Sequence, residues 1–154
     1  QLRNAVLLRD LRLRRGDEEF QVDHLLLTTS CALILEAKHW AGPQLALSDG
    51  RWSSAGRIRL SPLVQADRQA RLLQAWLASQ PGMPRLPVLA YVVFTNPRAQ
   101  TGDLPPGAIP LRDLGGVVAR ELASRLPQAT ATEVRELAAA LMAADAWGGV
   151  VAHA

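Results

Sequence analysis

The stretch FQVDHLLLTTSCALILEAKHW, residues 20–40, determines the fold that we expect for this chain of 154 residues. Its two halves, 20–28 and 32–40, are rich in leucine, isoleucine and valine, a composition typical of β-strands. Because only a short polar link separates them, we expect an antiparallel hairpin. A two-residue link at 29–30 and a symmetric four-residue loop predict the same register, with Asp23 opposite Glu36.

The same register places Gln21 opposite Lys38. Side chains alternate between the two faces of a strand, so Gln21 and Asp23 are predicted to share one face with Glu36 and Lys38. Four polar side chains would then cluster on a sheet that is otherwise apolar. A slip of one residue would scatter them.

Lys38 is the only lysine in the chain, against sixteen arginines. Arginine is a planar fork that stays charged, whereas lysine is a compact ammonium whose proton can move. Opposed carboxylates such as Asp23 and Glu36 repel each other and need a positive partner. A pair of hard oxygen ligands suits Mg²⁺ or Mn²⁺, and Lys38 beside it could hold or deprotonate a water. The alternative is an ordinary ion pair of Lys38 with Glu36 or Asp23 on a solvated sheet face.

The rest of the chain predicts a mixed α/β fold. Ser61 and Pro62 favour the start of a helix, which Pro81-Gly82 would end. Asp49-Gly50 is typical of a hairpin turn, and Thr132 is a candidate helix cap. We expect further strands at 5–13 and 86–97 and further helices at 111–126 and 130–147. This order predicts a single α/β domain over residues 1–154, a mixed central β-sheet flanked by helices.

Composition sets limits on partners and location. The formal net charge of +3 and the sequence pI of about 10.0 permit a polyanionic partner. One cysteine, Cys31, allows no disulfide within the chain and favours a reducing compartment, so we expect a cytoplasmic protein. No apolar run has the length of a membrane span, and we expect no membrane partner. The chain starts at Gln1 rather than methionine, so we expect the natural N-terminus to lie upstream.

Several side chains have both a functional and a structural interpretation. Arginines on a strand and on the central helix could contact a phosphate backbone, or could simply be solvated. The histidines of the hairpin are expected on the face opposite the carboxylates, and Cys31 is expected to have no catalytic role. The candidate phosphate-binding arginines are Arg57, Arg59, Arg68 and Arg71; the histidines are His24 and His39; and the tryptophans expected in the core are Trp40, Trp52, Trp76 and Trp147.

Three motifs together resemble the nuclease-related domain, NERD, of the restriction-endonuclease-like superfamily with its PD-(D/E)XK site. QVDH at 21–24 is similar to the Q-I-D-H strand of that family, and LEAKHWAG at 35–42 to its I-E-x-K-x-W/Y-x-G strand. SPLVQ at 61–65 is similar to the N-P-x-x-Q helix and departs at Ser61. The resemblance covers roughly residues 5–97.

The resemblance implies a metal-dependent phosphodiesterase with a restriction-endonuclease-like fold. Asp23, Glu36 and the backbone carbonyl of Ala37 would hold Mg²⁺ or Mn²⁺, and Lys38 would position or activate the attacking water. Gln65 would support Lys38 or touch the substrate, and Gln21 is a further supporting candidate. The family carries an N-terminal helix with a Gly-Glu pair, which is absent here, so a domain truncated at its N-terminus is expected.

The function favoured is DNA hydrolysis at the D…ExK site, since Asp23, Glu36 and Lys38 are all present. A non-catalytic nuclease-like module that binds DNA or a protein partner within a larger protein is the alternative. A purely structural domain with its carboxylates paired to arginines is a third. RNA remains open as a substrate because phosphate chemistry is shared.

Overall fold

The computed structural model describes residues 2–145 and 150–153. Strands dominate the first half of the chain and helices the second. The strands are β1 (Val6–Arg15), β2 (Glu18–Leu27), β3 (Ala32–Lys38), β4 (Gly42–Ala46), β5 (Arg51–Ser54), β6 (Arg57–Leu60), β7 (Val88–Phe94), β8 (Ala99–Gln100), β9 (Ala108–Pro110) and β10 (Val150–His153). The helices are α1 (Pro62–Ala78), α2 (Leu114–Ala123), which follows a 3₁₀ turn at Leu111–Asp113, and α3 (Ala131–Ala144).

The strands form two mixed sheets. The larger sheet has the order β10-β1-β2-β3-β7-β9, with antiparallel pairing from β10 to β3 and parallel pairing from β3 to β9. The smaller sheet has the order β6-β5-β4-β8. The expected mixed α/β architecture is therefore confirmed. The short strand β9 extends the parallel part of the larger sheet by pairing with β7.

The register predicted for the β2–β3 hairpin is confirmed over its paired residues. Leu27 lies opposite Ala32, Leu25 opposite Ile34 and His24 opposite Leu35. The link is the four-residue version, closed by a bond from the Thr28 N–H to the Cys31 carbonyl of 3.0 Å. The same register, continued by one residue, brings Asp23 to Glu36.

Simple alternation fails at one point of the β1–β2 pair. Val22 and Leu25 are both fully buried in the same core, although two residues three apart in a regular strand face opposite sides. On the neighbouring strand β1, Asp10 lies between Arg9, which pairs with His24, and Leu11, which pairs with Val22. Asp10 has a backbone φ of 55°, in the left-handed region. The backbone irregularity therefore falls at Asp10 and Asp23, although Gln21 and Asp23 still line one cavity with Glu36 and Lys38, as predicted.

The larger sheet is covered on both faces. One face packs against α1 and α3, where Ile34 of β3 meets Leu73 and Leu137 in the main core. The other face carries Leu33, which packs with Val118 of α2. A third cluster joins the two sheets. Helix α1 packs across β3 and β7, on the face of the sheet that carries Ile34. The predicted site lies on this same face, farther along β3.

Helix α1 begins where the sequence predicts. The Ser61 side chain accepts a hydrogen bond of 3.2 Å from the Leu63 N–H, and Pro62 occupies the first turn. Helix α3 is different, because its cap is Thr130 rather than Thr132. Thr130 and Glu133 form a reciprocal capping box, which satisfies two backbone N–H groups at once.

The smaller sheet is built from two tight hairpins. Asp49 and Gly50 have φ values of 59° and 70°, as a type I′ turn requires, so the predicted turn is confirmed. A second turn, at Ala55 and Gly56, has φ values of 49° and 83° and was not foreseen. Among the described residues, no helix is both long enough and apolar enough to cross a membrane.

The tryptophans differ in burial. Trp52 is fully buried and Trp76 is 6% exposed, as expected for core residues. Trp40 is only half-buried, at the edge of the cluster that joins the sheets, so the prediction of a core position holds in part. Trp147 lies outside the described residues.

Trp52 is predicted to hold the smaller sheet against the larger one. Its ring stacks on Phe94 with a centroid distance of 5.8 Å, and its Nε1 donates to Gln44 Oε1 at 3.0 Å. Trp52→Ala should lower the free energy of unfolding by about 3–5 kcal/mol, measured by urea denaturation. Trp52→Phe should cost less, about 1–3 kcal/mol, because it mainly leaves Gln44 without its donor. Equal stability of all three proteins would contradict this role.

Candidate active site

Six residues singled out from the sequence line one cavity of about 320 Å³ between the larger sheet and α1. Two come from β2, two from β3 and two from helix α1. They are Gln21, Asp23, Glu36, Lys38, Gln65 and Arg68; Phe20 and Gln69 complete the walls. Residues distant in sequence thus meet at one place, where β2, β3 and α1 converge.

Glu36 and Lys38 owe their position to the apolar stripe of β3. Ala32 and Ile34 lie in the main core, and Glu36 and Lys38 follow on the same face at a period of two. The stripe therefore changes from apolar to charged toward the end of β3, where the cavity opens between the sheet and α1. Glu36 remains within the buried part, with 6% of its surface exposed.

Lys38 pairs with the nearer carboxylate. Its Nζ lies 3.5 Å from Glu36 Oε1, with the lysine side chain 19% exposed and the glutamate side chain 8% exposed. The Trp40 ring centre lies 5.3 Å from Nζ, a cation–π distance. The ion pair considered as an alternative is thus present, but it is largely buried and not on a solvated face.

The Glu36 carboxyl has a raised pKa. Burial raises the pKa of its carboxyl above the ordinary value, and the negative charge of Asp23 raises that pKa further. Lys38 and the amide of Gln69 act in the opposite direction. Since the net shift is upward, Lys38 and Gln69 do not offset the combined effect of burial and of the Asp23 charge on the pKa of Glu36.

The donor set fits a hard divalent cation. Glu36 Oε2 is buried and has no hydrogen-bond partner. The carboxylate of Asp23 lines the same cavity. A buried carboxylate oxygen without a donor is unfavourable unless a cation or water meets it. Within 2–145 and 150–153, no group of three or more His, Cys, Asp and Glu side chains could hold a metal. Further ligands would have to be other oxygens, such as the Ala37 carbonyl, amides, water or phosphate.

Two of the candidate arginines are on α1, and both are engaged with acidic residues. Arg68 lines the cavity and pairs with Glu18 at 2.7 Å. Arg71 pairs with Asp67, one turn earlier, at 3.6 Å and lies outside the cavity walls. Both pairs are exposed, so a phosphate could replace either acidic partner at small cost.

The other two arginines lie on β6 of the smaller sheet. Arg57 is exposed. Arg59 is half-buried, its Cζ lies 4.6 Å from the centre of the Trp40 ring, and its Nε is buried without a partner. Neither lines the cavity, but Trp40 contacts both Arg59 and Lys38, so a basic surface adjoins the site.

The histidines lie away from the carboxylates, as expected. His24 lines an apolar cavity on the other face of the sheet with Ala37, and His39 Nδ1 is 3.0 Å from Thr95 Oγ1. Cys31 is buried, and burial raises the pKa of its thiol, which makes it a poor nucleophile.

Gln69 is the site residue that sequence reasoning missed. It lies on α1 four residues after Gln65, a spacing that puts both amides on one helix face. That spacing was visible in the sequence. The structure adds that α1 crosses the sheet at Glu36, so both amides line the same cavity as the carboxylate. Cavity size alone would also mislead, because a larger cavity of about 540 Å³, near Arg85 and Arg125, has no carboxylate in its walls.

A charge buried at Glu36 should make the folded protein pH-sensitive. A carboxyl whose pKa is raised by folding favours the folded state when protonated, and this stability is lost as pH rises through the folded pKa. Glu36→Gln should therefore unfold at higher urea concentration than the parent at about pH 7.5, and the difference should shrink at about pH 4. Exposed Glu136→Gln is the control and should show little change. A Glu36→Gln protein less stable than the parent at neutral pH would contradict the assignment.

Comparison with known proteins agrees with this geometry. The family model of the nuclease-related domain, NERD, matches residues 1–95. The matched range is more than half of the chain and includes every residue that lines the cavity. No curated protein and no solved structure matches the chain. The chain therefore belongs to the family of the nuclease-related domain.

Proposed function

We propose that this chain is a divalent-cation-dependent nuclease that hydrolyses phosphodiester bonds of DNA. The observation that carries the proposal is the buried Glu36 carboxylate, with Oε2 lacking a donor, between Asp23 and the single lysine. A purely structural sheet gains nothing from this arrangement, because each buried charge costs stability. Membership of a nuclease-related family supports the same reaction class.

Asp23 and Glu36 would hold Mg²⁺ or Mn²⁺, together with the carbonyl oxygen of Ala37. A cation bound there would lower the pKa of a water and polarise the phosphodiester. The two carboxylates come from neighbouring strands of one sheet, each one residue beyond the paired stretch that ends at His24 and Leu35. Glu36 is held further by the core that surrounds it, which keeps its oxygens oriented before substrate arrives.

Lys38 would act on the attacking water and on the charge that develops at phosphorus. Its Nζ is held by Glu36 Oε1 on one side and by the Trp40 ring on the other. A compact ammonium in this position can donate to a water and to a phosphate oxygen in turn. A guanidinium is larger and planar and would not fit the same space, which gives a chemical reason for the one lysine.

The basic side chains next to the site would bind the substrate backbone. Arg59 lies against Trp40, Arg57 lies two residues earlier on the same strand β6, and Arg68 lies on the wall of the cavity itself. Contacts to phosphates position a nucleic acid without reading its sequence. We therefore expect binding that depends on salt and little on base sequence.

The central test is cleavage of plasmid and linear DNA by the purified chain with Mg²⁺, with Mn²⁺ and with chelator. Lys38→Ala should lower the cleavage rate by about 10²-fold or more, the range for loss of a positioned acid–base group. Lys38→Arg should be impaired nearly as much, although it keeps the charge. RNA of the same sequence, run in parallel, identifies the preferred nucleic acid.

Chelator-resistant cleavage, or full activity of Lys38→Ala, would refute the proposed mechanism. If the protein does not cleave DNA but retards its migration in a gel, the non-catalytic binding module is favoured instead. Circular dichroism of each variant shows whether the protein is folded.

Arg57 offers a test of the binding surface that does not involve the cleavage step. Arg57→Ala should weaken DNA binding to a similar extent for different sequences and reduce the slope of log K against log salt by about 1. Arg135→Ala, on α3, removes an exposed arginine elsewhere and is the control. Fluorescence anisotropy over a salt series with chelator measures both. An unchanged slope in Arg57→Ala would remove β6 from the interface.

A further inference from the structure

Two buried acceptor oxygens meet at the same cavity without a donor. They are Glu36 Oε2 and Gln69 Oε1, and both residues line the cavity of about 320 Å³. Buried polar atoms in folded proteins almost always have a partner, so a single exception needs an explanation. Two acceptors that face one space indicate that a species with positive charge or with hydrogen-bond donors lies between them.

The protein's own cations near these oxygens are directed elsewhere. Lys38 Nζ contacts Glu36 Oε1, at 3.5 Å, rather than Oε2. Arg68, the other basic residue in the cavity wall, is paired with Glu18 at 2.7 Å. Neither cation therefore donates a hydrogen bond to Glu36 Oε2 or Gln69 Oε1.

The backbone of Gln69 is fixed by its place in α1. It lies in the middle of α1, a helix capped by Ser61 and anchored in the core by Ala66 and Leu73 on either side of Gln69. A hydrogen bond from the Gln69 amide group acts to lower the pKa of the Glu36 carboxyl, so the two side chains lie close together and Nε2 is the atom on the carboxylate side. A neutral amide oxygen adds a ligand without adding a third negative charge to the two carboxylates.

We propose that Gln69 Oε1 is a third side-chain ligand of the divalent cation, alongside Asp23 and Glu36. The proposal rests on the proposed function, since it concerns the same cation. Among the described residues, no third His, Cys, Asp or Glu is available at this place, so an amide is the side-chain oxygen that fits. Two carboxylates balance a divalent cation, and the charge of Lys38 is then left for the substrate phosphate.

The test measures Mn²⁺ binding to the intact chain, without nucleic acid, by electron paramagnetic resonance of free Mn²⁺. Gln69→Leu keeps the approximate size but removes the oxygen, and should weaken Mn²⁺ binding about tenfold or more. Gln69→Glu keeps an oxygen and adds charge, and should bind Mn²⁺ at least as tightly as the parent. Gln74→Leu, on the same helix but exposed and outside this cavity, should leave the affinity unchanged.

Parental Mn²⁺ affinity in Gln69→Leu would overturn the proposal, as would absence of Mn²⁺ binding by the parent. Equal weakening in Gln69→Leu and Gln69→Glu would also overturn it, because a donor to Glu36 and not a ligand would then have been lost. Failure of the proposed function gives a different pattern. Mn²⁺ binding that depends on Gln69, with no DNA cleavage, would support the ligand assignment and refute the nuclease.

Discussion

The burial of the Glu36 carboxylate at the end of an apolar stripe is the constraint on which the site depends. Ala32 and Ile34 draw that face of β3 into the main core, and Glu36 is carried in with them. Its charge is then met only in part, by Lys38 at one oxygen, while Asp23 adds a second negative charge nearby. The folded protein thus gives up stability at this position, as functional sites commonly do.

The remaining architecture keeps this unfavourable group in place. The hairpin aligns β2 with β3 through apolar pairs, and β7 aligns with β3 over its whole length, from Ala32 to Lys38. Helix α1 starts at a defined cap and packs over the same strands. Because a shift of one residue in β3 would turn Ile34 and Glu36 to the opposite face of the sheet and Leu33 into their place, the packing of both faces enforces the position of Glu36.

Much of the site was predictable because its elements follow short-range rules. Asp23, Glu36 and Lys38 could be grouped from the hairpin register, and the start of α1 from Ser61 and Pro62. Gln69 could not be assigned to the site from the sequence, since the spacing of residues along a helix does not reveal which strand the helix crosses.

Other features depend on contacts between residues far apart in sequence. The irregularity at Asp10 and Asp23 belongs to two strands at once and has no signal in either alone. The stacking of Arg59 on Trp40 requires the smaller sheet to meet the end of β3, which local patterns do not predict.

The most direct measurement is a ¹³C NMR titration of the Glu36 side-chain carboxyl, with and without Mg²⁺. Without Mg²⁺ the carboxyl is expected to titrate with a raised pKa, because it is buried beside Asp23. Mg²⁺ should lower that pKa, since a bound cation favours the charged form. Asp23→Asn should remove part of the upward shift and weaken the effect of Mg²⁺. A Glu36 carboxyl that titrates in its ordinary range, with a pKa that does not change when Mg²⁺ is added, would contradict a cation site at this place.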